Sequence, residues 1–219
     1  MRRIGMRRPS ARTALLLGVW GLFCAWVIAG WWSVRSVREP SYDVVARYDG
    51  YEVRTYGPFL AVQVSATAPW SEAFRRGRAL LAGYLNGDNT TQESIAAGRP
   101  VGMEARGQDL GGGVPFLVAA KNDAWTVSFP VPVPWTEVTL PRPNDPRIRI
   151  VRVPSRTMAV LTFSGSASRD RADEQERSLR ALLARDGAVI LGPATVAQYH
   201  PSWAPPFLRR NELIIPVRQ

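Results

Sequence analysis

The sequence predicts an α+β fold: a distorted antiparallel β-barrel of about eight strands with two flanking helices and a pseudo-twofold internal duplication. Three observations predict it. Short alternating apolar runs are separated by turn signals, as strands joined by tight connections require. Two amphipathic helical stretches each follow such runs. The two halves also repeat. Val53, Leu60, Ala61 and Val62 match Val151, Met158, Ala159 and Val160 at an offset of 98, and the string "RALLA" occurs at 78–82 and again at 180–184, an offset of 102. So long a period fits duplication of one strand-strand-helix unit, not a solenoid.

The chain opens on a leader. Arg2, Arg3, Arg7, Arg8 and Arg12 precede "ALLLGVWGLFCAWVIAGWW", residues 14–32, which carry no charge. A helix of that length rises about 28 Å, close to the hydrocarbon thickness of a bilayer. Trp31 and Trp32 close the stretch, and Arg35 and Arg38 follow it. Indoles favour the membrane interface, and five arginines before against two after predict a cytoplasmic N-terminus with an extracytoplasmic or periplasmic body. A cleaved signal peptide has an apolar core of about 7–15 residues, so the length favours an uncleaved anchor. The expected division is a basic tail (1–13), a transmembrane anchor (14–32), a linker (33–39) and one folded domain (40–219).

The domain begins with three strands in "YDVVARYDGYEVRTYGPFLAVQVSATAP". Asp49-Gly50 is a hairpin signal, and Gly57-Pro58 breaks the second strand from the third. A helix follows, with Ser71 as its expected N-cap. Phe74, Gly77, Leu81, Tyr84 and Leu85 form its apolar stripe, and Asn86-Gly87 stops it. Residues 88–113 are rich in Gly, Thr, Asn and Asp and read as loop, with at most a short strand near Val101. A strand over 124–129 runs into Pro130, Pro132 and Pro134, which cannot donate to a ladder. The pattern then returns. "IRIVRVPSRTMAVLTFSG" is strand, Pro-Ser turn, strand, and "RADEQERSLRALLARDG" is a helix with Leu179, Leu182 and Leu183 on its apolar face. Two final strands fit 194–199 and 212–217.

Composition narrows the function. The net charge of +10 resembles a nucleic-acid signal, but residues 1–39 carry +6 of it and the body only +4. No basic helix or aromatic-basic repeat stands out, so no nucleic-acid partner is expected. One cysteine, Cys24, excludes an internal disulfide, and one histidine, His200, leaves no Cys/His cluster for zinc. A catalytic Ser-His or Cys-His pair would have only His200 to use, and no Gly-x-Ser-x-Gly elbow occurs. "GGG" at 111–113 lacks the Gly-Lys-Ser/Thr end of a phosphate loop. A binding protein is expected, not an enzyme.

The domain resembles the SOUL heme-binding family over nearly all of residues 40–219. The resemblance rests on "YEVRTYGP" (51–58), "PRPNDPRI" (141–148), "MAVLTFSG" (158–165) and above all "YHPSWAPPFLRRNEL" (199–213). It implies a distorted antiparallel barrel with two helices and pseudo-twofold symmetry. It also implies non-covalent binding of heme or a related tetrapyrrole. Two departures stand beside it. One branch of the family carries a histidine, proposed as an axial ligand, where this chain has Thr55. The family's "Met-Thr-Ala-Pro" loop is replaced by "AAGRPVGM" at 96–103.

Heme is a flat apolar plate with two anionic propionates, so its holder needs an apolar wall and cations at the rim. Phe74, Leu81, Tyr84 and Leu85 offer the wall, although the same stripe serves equally as core. Arg75 and Arg78, and Arg209 and Arg210, offer propionate partners. The alternatives are a solvated helix face for the first pair and a strand-entry lock for the second, with one arginine paired to Glu212. His200 is the candidate axial ligand, against a plain loop histidine. Trp203, Pro205, Pro206 and Phe207 form a pre-stiffened apolar clasp that loses little entropy on ordering. Two other functions fit the architecture: a membrane-tethered protein-interaction module without a small ligand, and a gyrase-inhibitor-like small-molecule-binding domain.

Overall fold

The computed structural model describes residues 11–35, 41–92, 94–95, 116–121, 124–131, 135–200 and 203–218. Val101, Met103 and the triple glycine lie outside the described residues. The helices are α1 (Ala11–Arg35), α2 (Trp70–Leu85) and α3 (Arg169–Arg185). In the first half the strands are β1 (Tyr42–Tyr48), β2 (Tyr51–Tyr56), β3 (Phe59–Ala66), β4 (Phe116–Lys121) and β5 (Ala124–Pro130). In the second they are β6 (Arg149–Val153), β7 (Arg156–Ser164), β8 (Val189–Ile190), β9 (Thr195–Gln198) and β10 (Arg210–Arg218).

The strands form one antiparallel sheet in the order β1-β2-β7-β10-β9-β4-β5-β3-β6, with β8 on β10. Strands β1 and β6 end this path, and the sheet curls into a half-barrel. The order is symmetric about the β4–β9 pair. Outward from that pair run β5, β3 and β6 on one side and β10, β7 and β2 on the other. Helix α2 packs on β3 and β5, and α3 packs on β7 and β10. This is the pseudo-twofold that the repeated sequence predicts. Strand β4 lies outside every expected strand. Its run "FLVAAK" shows no alternation, because a strand held between β5 and β9 needs no polar face.

The strand pairs flanking Gly57-Pro58 and Pro154-Ser155 are not hairpins. Strands β2 and β3 run on as one bent strand, and so do β6 and β7. The two bent strands pair with each other in a single register. Glu52 faces Val160 and Tyr56 faces Arg156; beyond the corner, Phe59 faces Val153 and Gln63 faces Arg149. Pro58 and Pro154 sit at the corner, where the ladder pauses and a missing N–H costs nothing. The Ser155 hydroxyl donates to Tyr56 O across it at 2.9 Å.

The true repeat in the strands differs by one residue from the sequence match. At an offset of 98, Val62, which faces α2, would meet Val160, which faces away from α3. One residue further, Val62 meets Leu161 and Val64 meets Phe163, all on helix-covered faces. Side chains alternate along a strand, so a one-residue slip exchanges the faces. Two cores result. Val62, Val64, Leu81, Tyr84, Leu85, Val127 and Phe129 fill the first. Val53, Leu161, Phe163, Leu179, Leu183, Leu213 and Ile215 fill the second.

Both domain helices start earlier than expected, α3 at Arg169 instead of Arg171. Helix α2 starts a residue early at Trp70, and Pro69, not Ser71, is its cap, with no side-chain hydrogen bond. Helix α3 has Ser168 as a true cap, its hydroxyl accepting from Arg171 N–H at 3.4 Å. Helix α1 carries an apolar run between Thr13 and Ser33, and its side chains are described at residues 12–13 and 15–31. Among the described residues, no helix is long and apolar enough to cross a membrane.

Candidate ligand-binding site

A cavity of about 500 Å³ opens where the start of α2, the β7–α3 loop and the β9–β10 connection meet. Helix α2 contributes Trp70, Phe74 and Arg78. The loop contributes residues 165–168 and then Arg169. The final strands contribute Gln198, His200, Arg209 and Asn211. The wall is aromatic. Trp70 meets Trp125 edge-on at 4.8 Å, and the Arg169 guanidinium lies 4.6 Å from the Trp125 ring, a cation–π contact. The rim is fixed by two bonds: Asn211 Nδ2 donates to Gly165 O at 3.0 Å, and Gly165 N–H donates to Pro206 O at 3.0 Å.

His200 is buried on this cavity. Arg210 N–H donates to its Nδ1 at 2.9 Å. Burial, and then the charges of Arg210 and Arg209, hold its pKa below the usual histidine value, so the ring is neutral at pH 7. A neutral ring that accepts at Nδ1 carries its proton at Nε2. That Nε2 is buried without a hydrogen-bond partner among the described residues. A buried donor left unpaired costs about 1–3 kcal/mol.

Of the expected site residues, Phe74, Arg78, His200 and Arg209 meet in this cavity. Leu81, Tyr84 and Leu85 do not. All three are fully buried in the first core, and the Tyr84 hydroxyl donates to Pro141 O at 2.6 Å. Helical spacing puts them on the stripe with Phe74, but only the stripe's first turn reaches past the sheet edge. Arg75 is exposed on α2, away from the cavity lining. Arg210 turns to Glu212, as the strand-entry reading expected. Trp70, Arg169 and Asn211 were not foreseen as lining. No sequence spacing links them, since they come from three separate elements.

Glu212 is fully buried and holds the clasp to the sheet. Its Oε1 accepts from Arg54 Nη1 at 3.0 Å and from Arg210 Nη2 at 2.5 Å, and its Oε2 accepts from the Tyr199 hydroxyl. Burial works against the Arg54 charge, but hydrogen bonds to Tyr56, Glu212 and Glu52 outweigh it and raise its pKa. Arg54 also lies 4.5 Å from the Tyr42 ring.

A second, more polar groove of about 750 Å³ is lined by Thr55, Arg156, Leu191 and Pro216, among others. Thr55 and Thr157 share a hydroxyl hydrogen bond of 3.2 Å there. It is larger than the first cavity, but among the described residues it has no aromatic wall and no orphaned buried donor. The first cavity is therefore the candidate site.

The sequence profile of the SOUL heme-binding protein family matches residues 37–216. Heme-binding protein 2 of Homo sapiens is 29% identical over 163 residues, covering 72% of this chain and 75% of that protein. Its Mus musculus counterpart is 27% identical over 161 residues, covering 71% and 74%. Two solved structures share the fold. The EcmrR C-terminal domain has a TM-score of 0.53 at 10% identity, covering 81% of this chain and 98% of that one. A hydrolase from Listeria innocua has a TM-score of 0.51 at 14% identity, covering 80% and 94%.

Proposed function

The chain belongs to the SOUL heme-binding protein family, and from that premise we propose that it binds heme or a related tetrapyrrole non-covalently, for carriage or buffering. One observation carries the reading. A single cavity joins an aromatic wall, arginines at its rim and a buried, unpartnered imidazole N–H. Those parts suit a flat apolar plate with acidic edges. A bound heme supplies the plate, an iron and two carboxylates. In this reading Trp70 and Phe74 cover the plate, and Arg78, Arg169 and Arg209 face the carboxylates. His200 Nε2–H donates to one of those carboxylates. Iron ligation by Nε2 requires the other tautomer, with Nδ1 donating to Arg210 O, 3.3 Å away.

The domain is further read as tethered to a membrane, with the N-terminus cytoplasmic and residues 40–219 outside. Support comes from the helical continuity of α1 and from Leu15, Leu17, Trp20 and Leu22, all exposed along it. The role is binding, not catalysis.

The test is a hemin titration of the full chain in detergent micelles. A saturable Soret shift is expected at micromolar hemin. Phe74→Asp and Arg78→Ala should each weaken binding by tenfold or so, while His200→Ala weakens it without moving the Soret band. Absence of a saturable shift in the unaltered chain refutes tetrapyrrole binding.

A further inference from the structure

The clasp before β10 touches the leader helix. Trp26 Nε1–H on α1 donates to Trp203 O at 2.8 Å. One turn on, Gly30 is buried against the Pro205 ring, with Leu208 beside it; any Cβ at Gly30 would collide with Pro205. Close approach of helix and clasp therefore requires glycine here. The contact brings two sets of exposed apolar groups side by side. Phe23 and Trp26, 43% and 40% exposed, belong to the contact face of α1, and Trp203 and Phe207, 41% and 59% exposed, belong to the clasp. The chain leaves large apolar groups in water on both sides of one contact. A surface of that kind marks a protein or membrane interaction site.

We propose that the clasp is a wedge seated in the outer surface of a lipid bilayer, and that the ligand cavity opens onto that surface. The proposal rests on the reading of α1 as an anchor. It follows from depth. Trp26 and Gly30 stand six and two residues before Trp32, the end of the apolar stretch, which places them roughly 9 Å and 3 Å inside that end at the helical rise. Trp203 and Pro205, in contact with them, share that level. That range overlaps the depth, about 5–10 Å, at which interfacial elements lie, and it is the level that indole rings favour. Phe207 occupies the 3-10 turn Pro206–Leu208 beside them. His200 and Arg209 bracket the same segment, and both line the cavity. Arg209 follows the clasp directly, and Arg169 lines the same cavity. A flat amphipathic ligand dissolved in the leaflet reaches the cavity without crossing water.

The experiment uses the full chain in phosphatidylcholine–phosphatidylglycerol vesicles. In a Cys24→Ala background, single cysteines replace Leu22, Phe207 or Val138 and carry an environment-sensitive fluorophore. Val138, 94% exposed, is the control. Doxyl-labelled lipids then report depth. Deep doxyl groups should quench Leu22→Cys, shallow ones should quench Phe207→Cys, and neither should quench Val138→Cys. If Leu22→Cys is quenched while Phe207→Cys behaves like the control, the anchor stands and the wedge is overturned. If Leu22→Cys is not quenched, the anchor reading fails and the wedge fails with it. Function gives a second readout. Phe207 lies outside the cavity lining, so Phe207→Glu should leave hemin affinity in detergent unchanged. It should slow hemin transfer from preloaded vesicles at least fivefold; transfer as fast as that of the unaltered chain overturns the proposal.

Discussion

Glu212 shows what one residue can hold together. Its carboxylate is out of water, with two arginines and a tyrosine as donors. Removing one member of a buried ion pair leaves the other charged and unpaired, which costs about 3–5 kcal/mol. Glu212→Ala should therefore lower unfolding stability by about that amount, measured by urea denaturation. Surface pairs set the contrast. Arg47–Glu52 and Arg152–Glu137 are exposed, and breaking either should cost well under about 1 kcal/mol. The Asn-Glu pair and the adjacent arginines were visible as a lock in the sequence. Arg54, the second arginine on Glu212, was not, because it lies 158 positions away.

At the scale of the element, α2 depends on Gly77. A Cβ there would stand 2.6 Å from Val127 Cγ2, 2.8 Å from Val127 Cβ and 3.1 Å from Val64 Cγ1. Both valines are β-branched and buried on strands, so neither can yield by a rotamer change. Alanine would gain up to about 1 kcal/mol in helix propensity. Overpacking costs about 1–3 kcal/mol, which outweighs that gain. Gly77→Ala should thus lower the midpoint of thermal unfolding, read by circular dichroism, and Gly83→Ala, with no neighbour inside ordinary contact, should not. The helical stripe told which face of α2 is apolar. It could not say where the face stops being core and becomes cavity wall, because that boundary is set by the reach of β3 and β5.

For the whole molecule, acid sensitivity follows from the buried histidine. Its folded pKa lies below the unfolded value of 6.5, mainly through burial. The unfolded chain therefore binds more protons as pH falls through 6.5, and stability declines from there down to the folded pKa. The carboxylates with lowered values, Glu52, Asp186 and Asp145, act only below their ordinary ranges near pH 4. Among the described residues, the decline between pH 7 and 5 should come from His200. Denaturation midpoints of His200→Gln should be flatter over that window than those of the unaltered chain. The pseudo-twofold is a property at this scale too. It emerges only when β4 and β9 meet at the centre of the sheet and the bent strands β2–β3 and β6–β7 pair across its corner.

The sequence by itself determined most of the element types, the duplication, the family and four of the cavity residues. Those features live in local periodicity, turn chemistry and short motifs, which neighbouring residues encode. Tertiary structure alone decided that the bent strands exchange partners, that the repeat in the strands runs one residue off the identity match, and that Leu81, Tyr84 and Leu85 are core while Trp70, Arg169 and Asn211 line the site. The physical reason is that sheet pairing and cavity boundaries are contacts between distant segments. Their energy depends on which surfaces meet, and no local pattern carries that information.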